Sequence, residues 1–294
     1  VTDLPQAVYH PWIKGFYEVS PNLKSLGADF GNGELDQKVF QIDREWGRYH
    51  ESKRAAVKEA SRKYIGRDSF SPALELAVRD FILERLSGEW PELFDRAGDS
   101  LRIQSRPGGE AFGLDELCLL FQEDLAVVAK AGERDWVAYI HVCNPSHWAP
   151  MDKLGLSFFD AHAPVPGFQR INLAASALVE AMIHKGPFVR FVWGLESDGR
   201  LNHHPVAPTG EDQELWYGRH FERDLFARVE RQVIWPLPEV DAALFFIRPF
   251  TYHVSEVMQD GHSWSMLTCA VRKMSPEAKR YKGIPDWLFE SESA

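Results

Sequence analysis

Between residues 34 and 64, apolar side chains recur three and four positions apart, at Leu35, Val39, Ile42, Trp46, Tyr49, Ala56 and Ala60. That spacing predicts one long amphipathic helix, ended by Gly66. Ser71-Pro72 supplies an N-cap and first-turn pair for a second helix to about Leu86, with Leu74, Ala77, Val78, Phe81 and Ile82 on its buried side. Residues 1–32 are rich in Pro, Gly and aromatics without a period, and read as ordered coil laid over other elements. The first hundred residues are thus predicted to be mainly helical.

The pattern changes near residue 112. A short helix over 114–121 leads into two β-rich runs, 124–129 and 136–142, separated by a Gly-containing turn at 130–134. These read as a hairpin. A short helix or loop follows around 158–162, then a helix over 172–185 and a strand over 188–193. Residues 196–218 are polar and rich in Gly and Pro, an excursion from the core. Three further strands are predicted, at 226–234, 242–248 and 263–271. The turn Pro236-Leu-Pro-Glu-Val240 joins the first two as part of an antiparallel meander. Helices set between two strand groups of one sheet make an α+β domain. The division is a coil and helical region at 1–112, packed on a domain at 113–294.

Composition narrows the function. Against 33 Lys and Arg stand 43 Asp and Glu, a net charge of −10, with no basic run longer than two residues. Such a surface repels nucleic acid. The longest apolar run, Ala242–Ile247, is far short of the ~20 residues that span a bilayer, and the N-terminus has no signal-peptide pattern. Cys118, Cys143 and Cys269 are odd in number, widely spaced and without a CxxC, so a reducing cytoplasm is the simplest setting. Ten tryptophans are compatible with a bulky core or with a pocket for a large planar ligand.

Nucleotide-binding GxGxxG and GxxxxGK[ST], the metalloprotease HExxH and the hydrolase GxSxG are missing, as is any Cys/His zinc spacing. Among the eleven histidines, His162 sits in Phe158-Phe-Asp-Ala-His-Ala-Pro-Val-Pro166. An imidazole held before a Pro-x-Pro turn and flanked by aromatics suits an axial haem ligand. It equally suits a half-buried histidine bonded to a backbone carbonyl. In Arg228-Val-Glu-Arg-Gln-Val-Ile234, alternation sends Arg228, Glu230 and Gln232 to one face and Val229, Arg231 and Val233 to the other. The first set reads as a solvated edge with ion pairs or as a polar wall. Arg231 among valines reads as a charged donor aimed into an apolar pocket. Cys143 can be read as a thiolate ligand, or more simply as a small buried residue at a strand end. His203-His204 cannot easily turn both rings toward one ion.

Several strings, in order, carry a resemblance: His10-Pro-Trp-Ile-Lys-Gly-Phe16 with Pro21, Gln122-Glu-Asp124, Cys143-Asn-Pro-Ser-His-Trp148, Lys153-Leu-Gly155 and His162-Ala-Pro-Val-Pro166. Arg228-Val-Glu-Arg-Gln232 with Leu237-Pro238, Phe246-Ile-Arg248, Met274-Ser-Pro-Glu277 and Tyr281-Lys-Gly283 continue it. Together they resemble the haem-containing α subunit of the haem-dependent oxidative N-demethylases, the dimethylamine monooxygenases. The resemblance runs from residue 10 to about 283. It implies a PAS-like antiparallel sheet with haem-binding helices, related to gas-sensing PAS modules but acting as an oxygenase. In that family a secondary amine, O2 and NADPH electrons give a primary amine and formaldehyde. Reductase and folate-binding partner subunits bring FMN, an iron–sulfur cluster, NADPH and tetrahydrofolate. Residue 162 falls on the stretch that carries the proximal histidine in haem PAS sensors, and 228–233 on a strand matched to the one carrying their distal arginine. Val192 stands where the family has a polar residue, and 196–218 has its own sequence.

The resulting expectation is a haem-dependent monooxygenase subunit, cytoplasmic, with no nucleic-acid or membrane partner. Its haem is b-type, since no CxxCH attachment motif is present. His162 ligates iron, Val229 and Val233 line the haem, and Arg231, Glu230 and Arg228 shape the side where O2 and amine meet. Glu230 is suited to hold an alkylammonium or accept its proton. The competing readings are a haem-PAS gas sensor or carrier without turnover, and a haem-free PAS-like binding module.

Overall fold

The computed structural model describes residues 4, 6–104, 109–168 and 175–289. In chain order the strands are β1 (Lys24–Ser25), β2 (Ile65–Arg67), β3 (Phe94–Ala97), β4 (Ser100–Ile103), β5 (Gly109–Glu110), β6 (Asp124–Ala131), β7 (Arg134–His141), β8 (Phe188–Glu196), β9 (Phe226–Leu237) and β10 (Ala242–His253). The helices are α1 (Trp46–Ala60), α2 (Pro72–Glu89), α3 (Leu114–Leu117), α4 (Phe158–His162), α5 (Ala175–His184), α6 (Gln213–Tyr217), α7 (Val254–Val257), α8 (Gly261–Arg272) and α9 (Pro276–Lys282). The chain is α+β, with a helical region preceding the main sheet. No helix among the described residues is long and apolar enough to cross a membrane.

The main sheet is antiparallel, in the order β1-β8-β9-β10-β6-β7-β2. Both edge strands, β1 and β2, come from the N-terminal region. Its middle is the meander β8-β9-β10, whose last strand pairs with the first strand of the β6-β7 hairpin. Alternation along β9 and β10 splits the sheet into two faces. Val229, Val233, Leu244 and Phe246 belong to the large core that includes α2, α8 and α9. Ile234, Ala243 and Phe245 pack with Phe158 and Ala161 of α4, Phe168, and Val179, Met182 and Ile183 of α5.

The predicted second helix is confirmed in its capping. Ser71 Oγ accepts the Leu74 N–H at 3.2 Å and Pro72 opens α2, which runs to Glu89 rather than Leu86. The hairpin is also as expected, though its turn is tighter, with Gly132 at φ +59°. The helix over 114–121 shortens to α3. The helix over 172–185 is seen from Ala175 to His184, its first residues Asn172–Ala174 lying outside the described residues.

Two expectations are corrected. The long helix over 34–64 is instead a 3-10 turn (Gly33–Gln37), an extended strap at 38–43, and α1. The strap's backbone groups are taken by side chains from elsewhere. Glu89 accepts the N–H groups of Val39 and Phe40 (both 2.9 Å), Glu123 that of Gln41 (2.9 Å) and Gln122 that of Asp43 (2.9 Å). Trp90 donates to the Phe40 carbonyl at 2.7 Å, and Arg231 to those of Lys38 (2.7 Å) and Val39 (3.4 Å). Tertiary partners thus satisfy the groups that a helix would have paired internally. Segment 263–271 is not a strand but most of α8. Asp260 caps it by accepting the His262 and Ser263 N–H groups at 3.0 and 3.2 Å, and Leu267, Ala270 and Val271 recur at helical spacing. The third meander strand is therefore β8. The small sheet β3-β4-β5 was not predicted; it is built from runs of two to four residues around Gly98.

Candidate functional site

Helix α4 is short because both its ends are fixed. Ser157 Oγ accepts the Asp160 N–H at 3.0 Å, and Asp135 accepts the Phe158 N–H at 2.6 Å. Beyond His162, Pro164 and Pro166 lack the N–H groups needed to continue the helix. His162 ends α4 with its Nδ1 2.7 Å from the Phe158 carbonyl one turn earlier. A carbonyl only accepts, so Nδ1 carries the proton and Nε2 keeps a free lone pair. Burial is the main force lowering the His162 pKa, to about 4, with the Phe158 carbonyl opposing it and the positive charges of Arg190 and Lys153 adding to it. The ring stacks on Phe168 (5.2 Å between centroids) and lies against Phe158 (4.4 Å). A neutral imidazole with a free Nε2 among aromatics is the donor chemistry that an axial haem ligand requires, and the residues present fit such a group.

The sheet face shared with His162 begins apolar, at Ile234, Ala243 and Phe245. It becomes polar along β8 and β9, where Arg190 pairs with Gln232, Val192 with Glu230 and Gly194 with Arg228. Gln232 Nε2 donates to Glu230 Oε2 at 3.1 Å. Arg228 donates to the carbonyls of Leu201 (2.8 Å) and Asn144 (2.7 Å), and its Nε lies 3.7 Å from Glu230 Oε1. It thereby pins the 196–218 excursion, which carries α6, to the sheet.

His162, Glu230 and Arg228 therefore share a face. Arg231, Val229 and Val233 do not join them. The two valines are 0% and 1% exposed in the opposite core. Arg231, beside them, spends its guanidinium on the strap carbonyls of Lys38 and Val39. The alternation along β9 was read correctly, but sequence cannot say which face meets α4. The guanidinium on the His162 face that sequence reasoning missed is Arg190. It is half-buried, its Nη2 reaches the Ser20 carbonyl at 3.5 Å, and its Nε has no hydrogen-bond partner among the described residues. A signal existed, since β8 is the strand next after α4 and 188–193 was predicted as a strand.

A second polar group lies at the far end of β8. Ligand atoms of His147, Glu196 and His203 all fall within 4.8 Å of one another. His147 Nε2 is 2.7 Å from Glu196 Oε2, and His203 Nε2 is 3.1 Å from Asp198 Oδ1. Arg228 Nη1 stands 3.4 Å from His203 Nδ1, and Arg219 Nε 4.0 Å from Glu196 Oε2. A guanidinium directed at Nδ1 sets His203 to carry its proton on Nε2, toward Asp198. Two adjacent guanidinium groups also repel a cation, so the set is a hydrogen-bonded network. His204 turns away from it, with its ring against Tyr64 and its Nδ1 on the backbone of Val206. Cys143 is wholly buried and burial pushes its thiol well up, the state of a core residue.

The same motif strings now have positions: Gln122 and Glu123 hold the strap, Asp124 accepts the Cys143 and Asn144 N–H groups, and Arg248 pairs with Asp43. The family model described as haem-dependent oxidative N-demethylase, alpha subunit-like, matches residues 33–289, and the chain belongs to that family.

Proposed function

We propose that this chain binds a b-type haem on the face bearing His162 and serves as the oxygen-activating subunit in oxidative N-demethylation of a small secondary amine such as dimethylamine. The observation that carries the reading is the His162–Phe158 bond, which leaves Nε2 free on a neutral ring set between Phe158 and Phe168. The strand order β8-β9-β10-β6-β7, with α4 and α5 between hairpin and meander, supports a PAS-like domain over 113–294. The alpha-subunit designation of the family fits a chain that works with partners.

A bound haem would supply O2 binding and reduction; the chain supplies the rest. His162 would hold the group through its Nε2. Phe158, Phe168 and Phe245 keep water from one end of the face. Glu230, oriented by Gln232, is placed to hold an alkylammonium or take its proton. Val192, opposite Glu230, leaves room and adds no competing donor. Arg190 presents N–H groups that a polarised oxygen can accept. The overall balance is amine + O2 + two electrons + two protons giving the demethylated amine, formaldehyde and water. With no flavin, NADPH or iron–sulfur motif in the sequence, the electrons come from a partner carrying FMN, an iron–sulfur cluster and NADPH. A tetrahydrofolate-binding partner takes the formaldehyde.

The test is an absorption spectrum of the purified and haem-reconstituted protein, oxidised and dithionite-reduced, followed by a formaldehyde assay with dimethylamine and hydrogen peroxide. Peroxide supplies both the oxygen atom and the electrons. A Soret band and formaldehyde that both vanish in His162→Ala are expected. A protein that stays colourless sinks the haem reading; one that binds haem and makes no formaldehyde is a sensor or carrier.

A further inference from the structure

Four cations and two carboxylates crowd the polar end of the face described above: Arg190, Arg219, Arg228 and Lys282 with Glu196 and Glu230. Lys282 ends α9 and lies over β8, where a Cβ on Gly194 would stand 3.5 Å from its Cδ. Gly194 shares its side of β8 with Arg190 and Val192, so Lys282 reaches the His162 face. Its ammonium has ring contacts with Tyr17 and Tyr281, both 5.8 Å, and no hydrogen bond or ion pair among the described residues. Arg219 comes beside it. Gly283, at φ +63°, lets the chain turn under the Arg219 guanidinium, which any Cβ there would strike.

The cations are under-used. Arg219 Nη1, Arg228 Nε and Arg190 Nε are buried donors without a hydrogen-bond partner among the described residues. Burial lowers the Lys282 pKa, with Glu230 and Glu196 opposing and Arg219 and Arg228 adding to it. A buried surplus of positive charge with orphan donors is costly unless an anion meets it. The surplus is two charges, and it sits beside an apolar, aromatic-walled region. The complementary ligand is flat and apolar, with two carboxylates along one edge.

We infer that Lys282 and Arg219, backed by Arg190 and Arg228, form a cradle that receives the two carboxylates of the haem. This rests on the proposed haem reading and sets the direction in which the group enters: apolar edge toward Phe158 and Phe245, carboxylates toward α9. Both carboxylates are then neutralised within the chain.

The experiment compares protohaem with its dimethyl ester, titrated into the apoprotein and followed by Soret absorbance. The ester should bind wild type roughly tenfold or more weakly, the worth of a charge-assisted contact. Lys282→Gln and Arg219→Gln should weaken protohaem by a similar factor while leaving the ester's affinity unchanged. Equal binding of acid and ester by wild type overturns the cradle while leaving haem binding intact, and needs no variant to fold. Variants that weaken both ligands alike also overturn it. If neither ligand gives a Soret band, the haem reading falls and the cradle with it.

Discussion

The Nδ1–H of His162 is donated to the carbonyl of Phe158, 2.7 Å away on the same short helix. That bond orients the ring and selects the tautomer at once. His162→Ala should lose haem, or hold it only with added imidazole. Cys143→Ser should leave the spectrum unchanged, because the thiol is buried in a separate cluster with Ala56 and Tyr64. A thiolate-type band in the reduced carbonyl complex, lost in Cys143→Ser, would reverse the assignment.

Arg190 and Arg231 should separate cleanly. Arg190→Ala changes the His162 face: O2 binding to the ferrous protein weakens or autoxidation quickens, while stopped-flow mixing still shows a bound haem. Arg231→Met changes the opposite face, leaving the Lys38 and Val39 carbonyls without their donor. It should cost about 2–4 kcal/mol in denaturant unfolding, with the haem spectrum intact. An Arg231 variant altered at the iron but not in stability would contradict this geometry.

Glu230→Gln removes the negative charge that β9 offers to an amine on this face. The oxy complex should persist, and the apparent KM for dimethylamine should rise. Unchanged kinetics would move the amine site to another element, the 196–218 excursion being the nearest.

Arg248 Nη2 meets Asp43 Oδ2 at 2.6 Å, with both side chains 1% exposed. Arg248→Met strands a buried carboxylate and should cost on the order of 3–5 kcal/mol. Loosening should begin at the strap, read as faster amide exchange at Gln41 and Asp43.

His141 is fully buried, with no hydrogen-bond partner on Nε2 among the described residues. Burial, followed by the positive charge of Lys53, lowers its pKa from 6.5 to about 3. The unfolded chain therefore binds a proton on this residue between pH 6.5 and 3 that the folded chain does not. Stability should fall as pH falls through that window, by on the order of a few kcal/mol from this group. In His141→Leu the acid limb of the pH–stability curve should be shallower; an unchanged slope would show that other groups carry it.

Local pattern decided much of the molecule. Ser71-Pro72 capped α2 where expected, β-rich runs and their turns marked β6, β7, β9 and β10, and the order of motif strings pointed to the family. His162 was singled out because its flanking aromatics and prolines are adjacent in the chain. These features depend on neighbours within a few residues, which sequence displays directly.

Only the tertiary structure decided which face of β9 the helix α4 covers, and with it the separation of Arg231 from Arg190. A two-residue period divides a strand into two faces but carries no label for inside or outside when both are buried. The strap at 38–43 escaped for a related reason: its helical spacing was real, yet Glu89, Gln122, Glu123 and Arg231 supply its backbone partners from distant positions. The cradle of Lys282 and Arg219 brings together residues far from β8 in sequence, with Lys282 laid against Gly194 of that strand. Charge meeting charge over such separations is a property of the folded chain, because only folding sets the distances on which Coulomb energies depend.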